Sequence, residues 1–323
     1  MALREVTRKR LMVFAGTSHL ELGDEVATGI GVTLGGVEMS RFSNGEIYVR
    51  FLESVRGVDA FVIQTCSEPV NDNIMELLLM CDALKRASAK RITVVMPYYG
   101  YSRQDKKTLA REPISAHLVA DVITVAGANR VVSVDLHAGQ IQGFFDFPLD
   151  HITAMPLLAS YIVQKNLEDM VVVSPDAGRV KVAKRLSDKL HAPMAIMHKR
   201  RPEKNVAEIM HVIGEVDGKT AILIDDMVDT AGTMVEAAAA LKKHGAKGIY
   251  ACATHPILSG SAVERIGISE IKELVVTNTL PVPPEKKIDK ITVLSIAPLL
   301  ANTITAVFKE ESVSEIAGAD NQT

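Results

Sequence analysis

Cysteine is scarce in this chain. The three present, Cys66, Cys81 and Cys252, are odd in number and widely scattered. They build neither a disulfide framework nor a zinc site, which fits a reducing cytoplasm and small buried thiols. Long apolar runs are lacking too, and none approaches the length of a membrane span. Met1 to Arg10 is basic, but the apolar run behind it, Leu11 to Ala15, is too short for a signal peptide and no cleavage-like site follows. Nor is there a surplus of positive charge. The net charge of -3 argues against bulk electrostatic binding of nucleic acid. Two common nucleotide signatures are missing: neither a lysine-bearing Walker A loop nor a G-x-G-x-x-G turn stands where the chain turns from strand to helix at 225–233.

What is present is core. Apolar residues make up 47% of 323 positions, enough for two domains rather than one. Short apolar runs at 11–15, 60–64, 91–96, 130–134, 170–173, 194–197, 221–224, 248–253, 272–277 and 291–295 read as strands. Helical stretches at about 19–30, 71–87, 115–126, 155–165, 179–190, 234–244, 260–267 and 297–309 alternate with them. Two further strands near 37–41 and 47–51 flank Asn44-Gly45, a hairpin signal, and another is expected at about 208–214. This alternation implies an α/β fold with mainly parallel sheets flanked by helices. Asp150 to Thr153 is a plausible crossing into a second, similar unit. Ile92 to Met96 takes the place in the first half that Ala221 to Ile224 holds in the second. Ligands in such sheets sit at the carboxyl ends of strands, where the loops beginning at 97, 135, 174 and 225 lie.

Residues 220–233 are the most informative. The buried run Ala221 to Ile224 ends in Asp225 and Asp226; Asp229 then precedes Thr230-Ala231-Gly232-Thr233 and a helix. The first amides of a helix have no internal partner, and its dipole adds positive potential there. Ala231 and Gly232 allow close approach of a phosphate, Thr230 and Thr233 add hydroxyls, and the acids suit sugar hydroxyls or a divalent cation. A sugar phosphate fits both halves of the stretch; a helix capped by Asp229 or Thr230, with two solvated acids, is the alternative.

Other candidates are weaker one by one. Arg103 and Gln104, in the long polar loop 97–113, suit a polyphosphate and a purine, although a solvated basic loop reads the same way. Asn44, Gly45 and Glu46 are ordinary turn residues unless they meet a nucleotide. Asp176, beside Ala177 and Gly178, is a natural magnesium ligand, and His137 would contact that ion weakly or through water. Lys199 and Arg201, in the basic stretch 198–205 behind a strand, suit a loop that closes over phosphates and aims cations at developing charge.

Phe42 to Glu46, Tyr101 to Asp105, Asp135 to Phe145, Ser174 to Gly178, Lys199 to Pro202 and Asp225 to Thr233 occur together in one order. In that order they resemble the class I ribose-phosphate diphosphokinases (phosphoribosyl diphosphate synthetases), over residues 11–316. The resemblance implies two tandem phosphoribosyltransferase-like domains, at 1–150 and 151–306, with a tail at 307–318 returning to the first. It implies transfer of the β,γ-diphosphoryl group of ATP to the C1 hydroxyl of ribose 5-phosphate, with Mg2+, giving 5-phosphoribosyl 1-diphosphate and AMP for nucleotide biosynthesis. Asn44, Gly45, Glu46, Arg103 and Gln104 would bind ATP, and His137 and Asp176 would serve the metal. Lys199 and Arg201 would act on the transition state. Arg201, Asp225, Asp229, Thr230, Ala231, Gly232 and Thr233 would hold ribose 5-phosphate. Ser54, Arg56, Ser312 and Ser314 match an allosteric site for phosphate and ADP. The expected assembly is a cytoplasmic homohexamer built from dimers, with ATP sites formed between subunits, and with neither nucleic acid nor membrane as partner. Two departures stand out. Arg179 replaces a glycine common in the family, and Ser312 to Ala317 lacks the usual Leu-Phe. A phosphoribosyltransferase would need one such domain only and leaves 42–46 and 103–104 unexplained. A non-catalytic regulatory homologue typically loses the basic loop that holds Lys199 and Arg201.

Overall fold

Runs of valine and isoleucine bounded by polar turns fold here into two units with one plan. The computed structural model describes residues 9–200 and 209–314. The chain runs β1 (Leu11–Ala15), α1 (Leu20–Ile30), β2 (Val37–Arg41), β3 (Ile47–Phe51), β4 (Asp59–Ile63), α2 (Val70–Arg86), β5 (Arg91–Val95), α3 (Ser115–Ala126), β6 (Arg130–Val134) and β7 (Leu149–Ile152). It continues α4 (Met155–Gln164), β8 (Met170–Ser174), α5 (Val180–Leu190), β9 (Met194–Arg200), β10 (Ile209–Ile213), β11 (Thr220–Val228), α6 (Gly232–Lys243), β12 (Gly248–Pro256), α7 (Ala262–Ile268), β13 (Glu273–Thr277), β14 (Ile291–Leu294) and α8 (Ala297–Lys309).

The first unit contains the chain up to Thr153 together with the part from Ile296 onward; the second is Ala154–Ser295. The division therefore falls at 153 and 295, where the sequence suggested 150 and 306. The cause is α8, whose buried Leu300, Ile304 and Val307 belong with α1 and its buried Leu22, Val26 and Ala27. The two helices approach closely enough that a Cβ on Gly29 would stand 3.1 Å from that of Ala301.

Among the described residues, the first unit holds the sheet β1-β4-β5-β6-β7, parallel throughout, and the separate antiparallel pair β2-β3. The second holds β10-β9-β8-β11-β12-β13-β14, parallel except for β9-β10. Every residue of β4 and β13 is buried, which is why each reads as a mostly apolar run behind its first, acidic residue.

Laid side by side, β1-α1-β2-β3-β4-α2-β5-α3-β6-β7 and β8-α5-β9-β10-β11-α6-β12-α7-β13-β14 match element for element. The counterpart of β11 is β4, not the run Ile92 to Met96 that the sequence put in its place. The chain does pass to the second unit just after Thr153, but residues 150–152 belong to a strand that the sequence did not reveal. Its polar residues hid it: β7 is an edge strand, in which Asp150 pairs with Arg130 at 2.5 Å and His151 Nε2 accepts the Leu136 amide at 2.8 Å. No helix among the described residues is long and apolar enough to cross a membrane.

Candidate functional site

β11 is longer than its apolar run. It pairs with β12 as far as Val228↔Pro256, so Asp225 and Asp226 lie within the strand rather than beyond its end. Asp226 is buried and Asp225 half-buried. The Asp226 amide donates to Asp225 Oδ1 at 2.8 Å. Burial, followed by the neighbouring Asp226 carboxyl, pushes Asp225 up to about 8, and the Arg179 guanidinium opposes the rise.

The turn that follows is short. The Asp229 carbonyl accepts the Ser259 amide at 2.9 Å. Ala231 adopts the left-handed region at φ 60 and is the N-cap of α6. The N-cap position is thus Ala231 rather than Asp229 or Thr230. Ala231 has no side-chain acceptor to offer, so the first turn of α6 presents its amides without a cap from that position. Thr230 and Thr233 are exposed and Gly232 is half-buried. Arg265, on α7, donates from Nη1 to the Thr230 carbonyl at 2.9 Å, a brace that no sequence signal revealed.

The loop after β8 is built differently. Asp176 Oδ1 accepts the Gly178 and Arg179 amides at 2.8 and 3.1 Å, and Ser174 Oγ donates to the Asp176 carbonyl at 2.7 Å. The exposed Asp176 carboxylate is thereby held in one orientation. Arg179 reaches from this loop to β11, with Nε 3.1 Å from Asp225 Oδ1 and Nη2 2.7 Å from Asp226 Oδ1. Four of the expected groups, namely the 174–179 loop, the acidic pair, Asp229 and the α6 start, thus belong to one unit and one end of its sheet.

The first unit carries the others. Asn44, Gly45 and Glu46 form the exposed tip of the β2-β3 hairpin, with Gly45 at φ 92 and the Glu46 amide donating to Asn44 Oδ1 at 3.2 Å. Arg103 and Gln104 are exposed; Gln104 Oε1 accepts from Ser115 Oγ at 2.6 Å at the start of α3. His137 is half-buried just past β6. Ser54 and Arg56 are exposed between β3 and β4, as are Ser312 and Ser314 after α8.

Lys199 is on β9, its backbone opposite Met210 of β10. The basic stretch therefore begins inside a strand rather than in an open loop, because β9 extends past its apolar residues to pair with β10. Arg201 lies outside the described residues. The three cysteines are buried, and burial pushes each thiol up to about 12, so none is a nucleophile in waiting.

No cluster of three or more histidine, cysteine or acidic side chains suited to a metal stands among the described residues. Magnesium commonly binds through one or two carboxylates together with substrate phosphates. The oriented Asp176 carboxylate fits that demand.

Comparison with known proteins is consistent over almost the whole chain. The family model for the N-terminal domain of ribose phosphate pyrophosphokinase matches residues 11–127, and that for the phosphoribosyl synthetase-associated domain matches 203–317. A ribose-phosphate pyrophosphokinase of Oceanobacillus iheyensis is 59% identical over 304 residues, 94% of this chain and 96% of that one. Another, from Bacillus subtilis, is 56% identical over 306 residues, 95% of this chain and 96% of the relative. The crystal structure of phosphoribosylpyrophosphate synthetase from Mycobacterium smegmatis matches at TM-score 0.89 and 53% identity, over 94% of this chain and 100% of that one.

Proposed function

Since the chain belongs to the ribose-phosphate pyrophosphokinase family, we propose that it transfers the β,γ-diphosphoryl group of ATP to the C1 hydroxyl of ribose 5-phosphate. The products are 5-phosphoribosyl 1-diphosphate and AMP, and the enzyme is a transferase of nucleotide biosynthesis. The sugar hydroxyl attacks the β-phosphorus; the bond from β-phosphorus to the α,β-bridging oxygen breaks, and AMP leaves.

The observation that carries this reading is the β11–α6 turn. Acids beside a helix start whose N-cap residue offers no side-chain acceptor accommodate a neutral polyol and a phosphate in one ligand. Asp225 and Asp229 accept sugar hydroxyls, while Thr230, Ala231, Gly232 and Thr233 receive the 5-phosphate. Asn44, Gly45, Glu46, Arg103 and Gln104 hold ATP. Lys199 and Arg201 set positive charge against the transferring group, where alignment and electrostatics supply most of the acceleration. Arg201 also contacts the sugar phosphate. Asp176 and His137 are the residues to hold Mg2+, which when bound neutralises polyphosphate charge.

In this reading the first unit serves ATP and regulation, with Ser54, Arg56, Ser312 and Ser314 receiving phosphate or ADP, and the second serves the sugar. The enzyme works in the cytoplasm as a homohexamer built from dimers. The decisive experiment incubates the protein with ATP, magnesium and ribose 5-phosphate and follows the nucleotide. AMP formed in step with consumption of the sugar phosphate supports the assignment; ADP, or no turnover, overturns it.

A further inference from the structure

Two acidic residues in sequence on a strand ordinarily point to opposite faces of the sheet. Asp225 and Asp226 nevertheless meet one guanidinium, Arg179 Nε to the first and Nη2 to the second. This cation is largely enclosed, at 15% exposure, and Asp226 is at 6%. The same residue's backbone amide donates to Asp176 Oδ1. A single residue therefore joins three things: the acidic pair on β11, the carboxylate of the 174–179 loop, and the start of α5.

One positive charge facing two carboxylates leaves acceptor capacity but little net charge. That combination suits neutral hydroxyl donors and not an anion. The fork is rigid and planar, so it sets the angle of both carboxylates at once, which an ammonium group cannot do. Burial and the Asp226 carboxyl raise Asp225 even with the guanidinium in place; without the fork, the two crowded acids lose the contact that fixes their orientation.

We propose that Arg179 is a positioning residue for the sugar diol: bridging Asp225 to the buried Asp226, it holds Asp225 in the orientation that receives the ribose hydroxyls, and couples that orientation to the 174–179 loop. The inference rests on the sugar-phosphate reading of the β11–α6 turn and deepens it. Arg179 acts through the acids it holds, so its effect belongs to sugar recognition rather than to the chemical step.

The test uses the full-length protein and two probes, ribose 5-phosphate and 2-deoxyribose 5-phosphate, titrated separately, with ATP as control. The unaltered protein is expected to prefer the ribose compound. In Arg179→Gly, affinity for ribose 5-phosphate falls about tenfold or more, the scale of hydrogen bonds to a charged group. Affinity for the deoxy compound falls about threefold or less, because it had less to lose, and ATP binding stays within about twofold. The preference between the two sugars therefore collapses, which a merely structural role would not produce. Arg179→Lys falls between, keeping the charge and losing the fork. An undiminished preference in Arg179→Gly overturns the inference; should that variant fail to fold, an undiminished preference in Arg179→Lys does the same. If the unaltered protein binds neither sugar phosphate, the functional reading falls and the inference with it. If it binds ribose 5-phosphate while the variants keep the preference, only the inference falls.

Discussion

Asp229 stands where β11 ends and the turn into α6 begins, its carbonyl fixed by the Ser259 amide. A carboxylate held beside a helix start contributes to one ligand only, so its removal should be felt by one substrate. Asp229→Ala is expected to weaken ribose 5-phosphate about tenfold or more while ATP changes by about twofold or less; equal weakening of both in titrations would reject the assignment of this turn. Lys199 is a different case. Its backbone pairs with Met210. Lys199→Ala should lower turnover about a hundredfold or more, the scale of losing one preorganised charge contact, with ATP still bound. A variant with most of its turnover left would remove Lys199 from the mechanism. Titration matters for neither prediction, but it bears on Glu273. Burial raises this carboxyl, and hydrogen bonds from Lys165, Thr292 and Tyr161 outweigh burial and hold it below its ordinary value. A depressed carboxyl stabilises the fold above its unfolded pKa, and the benefit is lost as pH falls through the folded value. Glu273→Gln should therefore cost stability at neutral pH, with the difference from the parent shrinking in acid; a difference that denaturant titrations find independent of pH would refute this.

At the scale of elements, corresponding loops of the two units are closed by different groups. In the first unit the loop corresponding to 174–179 follows β1, and it too is a short 3-10 turn, Thr17–His19. There, Glu76 Oε2 accepts the Thr17 hydroxyl at 2.8 Å and Gln64 Oε1 accepts the Ser18 hydroxyl at 2.6 Å. Gly16 is needed for this closure, since a Cβ would fall 2.3 Å from Gln64 Oε1. An internal carboxylate thus occupies donors that the second unit keeps for its own loop. The helix pair α1–α8 is the other element-level feature. Leu300 is fully buried in it, whereas Val125 on α3 is 77% exposed. Leu300→Ala should destabilise by about 2–5 kcal/mol, and Val125→Ala by no more than about 0.5 kcal/mol. Comparable denaturation midpoints for the two variants would contradict the packing described.

At the scale of the whole molecule, the units exchange helices. The helix that follows the last strand of each sheet joins the other unit: α4, after β7, belongs to the second, and α8, after β14, to the first. A chain ending at Ser295 keeps every element of the second unit and removes α8 from the first. The lost burial of Leu300, Ile304 and Val307, at about 1.5–3 kcal/mol each, is comparable with a domain's total stability of about 5–15 kcal/mol. Amide exchange on that truncated chain should show protection lost from β1–β7 and kept in β8–β14. Protection unchanged in the first unit would show that α8 is dispensable there.

Local chemistry was legible from residues alone. Buried strands declare themselves as apolar runs and amphipathic helices by their spacing, so nearly every element was readable, as was the Asn44-Gly45 turn. The motifs at 42–46, 101–105, 135–145, 174–178 and 225–233 were enough to indicate the family, because short-range order in sequence survives as short-range order in space. Tertiary structure decided the remainder. β7 was hidden because an edge strand needs only one apolar face, β9 and β11 outran their apolar residues because ladder hydrogen bonds do not depend on side chains, and α8 changed units because its partner lies far away in sequence. Arg179 is the clearest instance: its identity was plain, but its hold on Asp225 and Asp226 arises only when parallel pairing sets β8 beside β11, a contact between residues more than forty positions apart.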